Sequence, residues 1–400
     1  MSTRKRRFPS LRRARIRLFE RYLRYLTRPE RIHPWNRVQP LVGGQQAYPL
    51  MLAAIRGAHK HVHFEIYLLQ DDRIGLEFRD ALAERARAGV AVRMLYDSLG
   101  SFGLGEDFLG PLRAAGAQVL EYAPLFPWRR QFGLNRRDHQ KILVVDDSIA
   151  FAGGLNVGLD YVPLEQGGSG WYDVHARIEG PAVHDLAVIF RKTWLKRGGA
   201  SFPPPGMPPP ALPPGGISAP GVQVISNVVM RSRSHMHHAY LRAIGRAERT
   251  ISIMNAYFIP DRGLRRAFAR AAQGGVSVRV IVPSTNDVQA VRYASRHLYA
   301  RLMRAGVRIF EWPGRMMHAK CGVIDGVWST IGSYNLDRRS FLHNLEVALV
   351  VIDSAVGEEL AQEFEAQLAR CKEVLPQAWE RRSWWEKSKE WFCYGLRYWL

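Results

Sequence analysis

The 400-residue sequence predicts an α/β protein: two duplicated α/β/α sandwich halves packed about a pseudo-two-fold axis, with one shared active site. Three observations lead there. HQKILVVD at 139–146 returns as HAKCGVID at 318–325, so each copy reads His-x-Lys-x-x-x-x-Asp, with a Gly fourteen and an Asn seventeen residues past the His. With residue frequencies of a few per cent, a chance match at all these offsets is on the order of one in ten thousand. The flanks repeat as well: 61–98 aligns with 250–284, and LRAAGAQVLEYAP from Leu112 aligns with LMRAGVRIFEWPG from Leu302. Between the copies, residues 201–220 carry nine prolines.

The elements follow in chain order. Residues 1–38 form a basic leader, with eleven Lys or Arg up to position 28 against the single acid Glu20. Leu18, Phe19, Tyr22, Leu23 and Leu26 keep helical spacing among Arg13, Arg17, Arg21, Arg24 and Arg28, as in a basic amphipathic helix on an anionic membrane. A disordered basic arm is the competing reading. Residues 39–200 form the first half, where 61–98 reads strand, turn, helix, strand. Its helix register is Leu76, Phe78, Leu82 and Ala86, stopped at Gly89. A further helix and strand precede ILVV, an apolar β-branched run of the kind buried in α/β sheets.

The Pro-rich tract 201–220 cannot maintain helix or ladder hydrogen bonds and reads as an extended linker. The second half, 221–370, repeats the plan with Leu264, Phe268 and Ala272 on the helix and Gly274-Gly275 as its stop. Strands alternating with helices imply largely parallel sheets covered by helices on their outer faces. In the tail, 371–400, Trp384, Trp391 and Tyr398 stand seven apart, with Trp385, Phe392 and Trp399 alongside. On a helix these rings gather into one stripe suited to a membrane interface.

The formal charge of +21 attracts either anionic lipid or nucleic acid. No apolar run approaches the roughly 18 residues of a spanning helix, and the basic opening lacks the apolar core of a secretory signal. Cys321, Cys371 and Cys393 show no metal-ligand spacing, which favours a reducing cytosolic setting. His59, His61 and His63, like His235, His237 and His238, lack supporting ligands and are expected at the surface or against lipid headgroups.

Two histidines, two lysines and two asparagines suit displacement at a phosphate with no metal and no cofactor. Lys141, Lys320, Asn156 and Asn335 could supply cations and amide donors to the phosphoryl oxygens in the transition state. One histidine can attack phosphorus and the other can protonate the leaving alkoxide. Alternation along a strand puts His139 beside Lys141 and His318 beside Lys320. Asp173 and Glu346, acids in apolar runs, could hold a His ring in one tautomer. Asp146 and Asp325 end their strands, where short carboxylates accept backbone hydrogen bonds in the turn that follows. Neither half is complete, so the two must face each other across a cleft.

The doubled motif resembles the signature of the phospholipase D superfamily. HQKILVVDDSIAFAGGLNVGLDY, WYDVHARIEGPAV and HAKCGVIDGVWSTIGSYNLDRRSFLHNLEVAL are most similar to bacterial cardiolipin synthases, in a short form without N-terminal transmembrane helices, over about residues 39–353. The resemblance implies transfer of a phosphatidyl group from phosphatidylglycerol to a second phosphatidylglycerol through a phosphohistidine, with release of glycerol. It also implies a catalytic set of His139, Lys141, Asp146, His318, Lys320 and Asp325, supported by Asn156, Asn335, Ser333, Glu346 and Asp173. By analogy His139 is the nucleophile and His318 the acid and base. The expected partner is an anionic phospholipid membrane, met peripherally on its cytoplasmic face, and no nucleic acid. One departure is that Gly154 stands where the second copy has Ser333, so the halves are expected to differ in role. The same motifs also fit a phospholipase D using water, or a nuclease; the Trp-rich tail argues for lipid.

Overall fold

A computed structural model describes residues 23–126, 135–208, 220–228 and 235–400. The first half carries strands β1 (Arg37–Val42), β2 (His61–Ile66), β3 (Ala91–Asp97), β4 (Gln118–Tyr122), β5 (Ile142–Val145), β6 (Ile149–Gly153) and β7 (Val174–Glu179). The second carries β8 (Gly221–Ser226), β9 (Thr250–Asn255), β10 (Ser277–Pro283), β11 (Arg308–Trp312), β12 (Lys320–Ile324), β13 (Trp328–Gly332), β14 (Val347–Ile352) and β15 (Lys372–Glu373). The sheet orders are β1-β7-β6-β5-β2-β3-β4 and, read from the matching edge, β8-β14-β13-β12-β9-β10-β11-β15. Strand for strand, the second sheet repeats the first and adds one short edge strand. Matched helix starts repeat too: Asp72 caps Gly75 N–H and Asp261 caps Leu264 N–H, each at 2.9 Å.

The expectation of largely parallel sheets is corrected. Only β2-β3-β4 and β9-β10-β11 run parallel; β5, β6, β7 and β1, and their counterparts, are antiparallel. Three residues separate β5 from β6 and three separate β12 from β13, too few for a parallel crossover. Outer helices bury Phe78, Leu82 and Leu112 against the first sheet and Leu264, Phe268 and Leu298 against the second. A third core is shared: Ile142, Val144, Ala176 and Ile178 pack with Cys321, Val323, Leu349 and Val351, which fixes the halves against each other.

Residues 1–22 lie outside the described part, but the end of the leader departs from the amphipathic expectation. Leu23–Tyr25 is a short 3-10 turn. Tyr25 and Leu26 are buried in the second half, and the Tyr25 hydroxyl donates to Asp325 Oδ2 at 2.7 Å. Leu23 and Leu26 therefore face the protein. In the linker, 209–219 also lie outside the described residues.

The tail begins with β15 paired to β11 and buries Trp379. The helix Trp384–Gly395 then packs through Glu390 and Tyr394: Glu390 pairs with Arg296 at 3.2 Å and with Arg382, and the Tyr394 ring stacks on His297 at 4.5 Å. Trp384, Trp385, Trp391 and Phe392 project from its opposite side and are over 60% exposed. Tyr398 and Trp399 follow in turns after the helix has stopped.

Among the described residues no helix is long and apolar enough to cross a membrane, and no group of His, Cys, Asp and Glu side chains could hold a metal ion. His63, expected at the surface, is buried and stacked on Phe190 at 4.6 Å. His61 pairs with Asp147 and His237 with Asp261, both at 3.1 Å.

Candidate active site

Main-chain contacts between the halves position the site. Asp138 bridges Leu345 and Tyr172 bridges Met317, both in parallel sense and both outside the sheets. His139 N–H donates to Leu345 O at 2.9 Å, and His318 N–H to Tyr172 O at 2.7 Å. The residue after each acceptor is the acid, Glu346 or Asp173, so each carboxylate is delivered to the opposite half's imidazole. His139 Nδ1 lies 3.0 Å from Glu346 Oε2, and His318 Nδ1 lies 2.7 Å from Asp173 Oδ2. With Nδ1–H donating to a carboxylate, each neutral ring keeps its lone pair on Nε2. The ring centroids are 6.4 Å apart.

The lysines are held by the same segments. Lys141 Nζ donates to His139 O at 2.8 Å, and Lys320 Nζ donates to His318 O. All six side chains are buried. Burial drives the charged forms toward neutrality: Lys141 falls to about 7, Lys320 to about 8, and Glu346 rises to about 7. Burial, then repulsion from Lys141 and Lys320, pushes His139 well below the usual imidazole range. His318 is also lowered by burial and Lys320, while Asp173 opposes the shift. An anion entering here offsets the desolvation of four basic groups at once.

Other expected residues serve the frame. Asp146 sits past the far end of β5 from His139 and accepts from the N–H groups of His59, Lys60 and His61, each at 2.8 Å. Asp325 does the same for Glu248, Arg249 and Thr250 at 2.7–2.9 Å. Both have φ of 53°, which Asp tolerates better than bulkier residues. The expected acceptor role in the following turn is corrected: the two carboxylates tie the hairpin to the entrance of β2 and β9. Asn156 Nδ2 donates to the Tyr161 hydroxyl at 2.7 Å and its Oδ1 accepts from Leu68 N–H at 3.3 Å. Asn335 makes no side-chain hydrogen bond among the described residues, and its buried Oδ1 is unpartnered.

The Gly154/Ser333 difference has a steric basis. Ser333 Oγ donates to Glu346 Oε2 at 2.5 Å and accepts from Val347 N–H at 3.1 Å, so its hydroxyl supports the carboxylate. Asp173 is one carbon shorter than Glu346, and its carboxylate stays against the backbone, with Oδ1 accepting from Val174 N–H at 2.7 Å. A Cβ on Gly154 would lie 2.2 Å from that Oδ1. Ser with Glu and Gly with Asp are matched pairs. Gly154→Ala is expected to displace Asp173 from His318 and lower turnover by about 10²-fold, the usual scale for a misplacement near 1 Å. Gly154→Ser combined with Asp173→Glu rebuilds the other half's pairing and should recover part of that loss; steady-state rates of the three proteins measure both effects.

Aromatic walls were missed in the sequence. Tyr67 presents an edge contact to His139 at 4.8 Å and lies under Lys141 Nζ at 4.9 Å. Tyr161 and Trp171 flank His318 at 5.9 and 6.1 Å. The alignment of Tyr67 with Tyr257 was the only signal for the first. Tyr161 and Trp171 adjoin repeated motifs without repeating.

A family model described as cardiolipin synthase, PLD-like domain, matches residues 51–194 and 240–369. Cardiolipin synthase 1 of Bacillus anthracis is 34% identical over 348 residues, 86% of this chain and 68% of its own. Cardiolipin synthase 2 of the same organism is 33% identical over 343 residues, again 86% of this chain, of which it represents 66% of that protein's length. The chain thus spans about two thirds of these relatives. The crystal structure of phosphatidylserine synthase from Haemophilus influenzae Rd KW20 superposes with a TM-score of 0.70 at 15% identity, covering 96% of this chain and 100% of that one, and shows the shared fold.

Proposed function

Because the chain belongs to the PLD-like cardiolipin synthase family, we propose that it is a phosphatidyltransferase that makes cardiolipin from two molecules of phosphatidylglycerol. The observation that carries the reading is the crossed pairing of His139 with Glu346 and His318 with Asp173 around one buried basic cluster. His139 Nε2 attacks the phosphorus and the bond to the glycerol oxygen breaks, with His318 giving the departing oxygen its proton. The phosphatidyl group is then bonded to His139. A hydroxyl of the second phosphatidylglycerol passes its proton to His318 and attacks, the P–N bond breaks, and cardiolipin leaves. We assign the nucleophilic role to His139, whose imidazole burial and the two lysines hold toward the neutral form that attack requires, while Asp173 opposes the lowering at His318 and stabilises its imidazolium when it carries the proton.

Lys141 and Lys320, restored to cations by the phosphodiester, stabilise the equatorial oxygens in the transition state. Asn335 adds an amide donor to the same oxygens. Asn156 acts through Tyr161, whose hydroxyl is 3.4 Å from His318 Nδ1. Thin-layer separation of the lipids formed from pure phosphatidylglycerol tests the reading: cardiolipin with an equal amount of glycerol is expected, and phosphatidic acid as the main product would make the protein a hydrolase.

The substrate resides in a bilayer, and the exposed rings of the tail are the contact surface we assign to its anionic, cytoplasmic face. Replacing Trp384, Trp385, Trp391 and Phe392 together by Ser is expected to weaken binding to phosphatidylglycerol vesicles by about tenfold or more. A vesicle sedimentation assay reads this. Truncation before Trp379 is a poorer test, because that ring is buried and Arg382 lies over it at 3.5 Å.

A further inference from the structure

A second anion-attracting feature lies away from the histidine pair. Between the end of the leader, the helix Ala182–Lys196 and the edge strand β8 runs an open cavity of about 400 Å³. Its aliphatic part consists of Val188, Ile189, Val224, Ile225 and Val228. Its basic part consists of Arg28, Arg31, Lys192 and His235. Among the described residues Arg28, Arg31 and Lys192 form no ion pair, and the one acid in the lining, Asp185, is engaged by His33 at 3.0 Å. The cations converge closely enough for Arg28 and Arg31 to join burial in lowering the His235 imidazole. Like charges are therefore gathered over an apolar wall with no counter-charge of their own.

None of the residues around His139 and His318 lines this cavity. The two are nevertheless neighbours through β8. Ser226, in the cavity wall, donates from Oγ to Gln140 Oε1 at 3.1 Å, and Asn227 Oδ1 accepts from Glu346 N–H at 2.6 Å. The wall of the cavity is thus the strand whose end supports the carboxylate of His139.

We propose that this cavity is an accessory binding site for an anionic phospholipid, separate from the catalytic centre. The phosphate sits among Arg28, Arg31, Lys192 and His235, and the first methylenes of an acyl chain lie along Val188, Ile189 and Val224. The volume is at the low end of small-molecule sites, roughly 300–1,000 Å³, so it takes a headgroup and the start of one chain while the rest stays in the bilayer. Charge complementarity selects the phosphate, and the aliphatic wall distinguishes a lipid from free phosphate. The assignment does not depend on the identity of the reaction.

The test is equilibrium binding of dihexanoyl phosphatidic acid, which carries no leaving alcohol, to the full chain and to Arg28→Gln/Arg31→Gln/Lys192→Gln. The parent chain is expected to bind at two classes of site and the triple variant at one, the missing class reappearing unchanged in a His139→Asn/His318→Asn protein. Val188→Asn, which leaves the cations in place and adds no charge, should weaken the same class by about tenfold through lost apolar burial. Dihexanoyl phosphatidylcholine should not compete. Unaltered two-class binding by the triple variant overturns the proposal. So does displacement of the lipid by an equimolar amount of inorganic phosphate, which identifies a simple phosphate site. Matching thermal unfolding of the variants keeps a folding defect from imitating the result.

Discussion

His318→Asn is expected to abolish turnover of phosphatidylglycerol yet still form the covalent adduct when the leaving group needs no proton. Loss of a general acid costs about 10²–10⁴-fold. A phosphatidyl ester of p-nitrophenol releases a stable phenolate, so its first step does not need His318. The second step still lacks a base to activate the acceptor hydroxyl. The adduct should therefore accumulate on His139, visible as one equivalent of released nitrophenolate and as an acid-labile mass increase on the peptide containing that residue. His139→Asn should give no burst with either substrate. An adduct on His318 in the His139→Asn protein would exchange the two roles, and no adduct in either protein would rule out the covalent route.

The crossed carboxylates make a second large-effect prediction. Replacing an orienting carboxylate by its amide presents the wrong partner to Nδ1–H and costs about 10⁴-fold where a ring must cycle between neutral and charged forms. Asp173→Asn, a change in the first half, should imitate His318→Asn: slow with phosphatidylglycerol, a nitrophenolate burst retained. Glu346→Gln, a change in the second half, should imitate His139→Asn and lose the burst. Pairing within each half would produce the opposite pattern. Rapid-quench measurement of the burst amplitude in the two variants decides between them.

Much of the frame was legible because it depends on local spacing. The helical register of Leu264, Phe268 and Ala272 and the glycine stops after both matched helices describe elements a few residues long. The antiparallel hairpins were not read from the sequence, although only three residues separate β5 from β6, because the alternation of strands and helices in the flanks pointed to parallel sheets. Leu23 and Leu26 had the spacing of a surface helix, and the second half's core took them instead. An apolar residue records that it prefers to leave water, without recording whether lipid or protein receives it.

By itself the sequence determined that the chain is a duplicated α/β protein and that each half brings one imidazole and one ammonium, since identical residues at identical offsets require no knowledge of what lies opposite. Tertiary structure decided which acid serves which histidine. Glu346 reaches His139 across 207 residues and Asp173 reaches His318 across 145, because the Asp138–Leu345 and Tyr172–Met317 bridges set the register between halves. It also decided that Asp146 and Asp325 brace the backbone and that Gly154 makes room for Asp173. These assignments follow from the distance between segments far apart in sequence, a quantity that no local pattern of residues encodes.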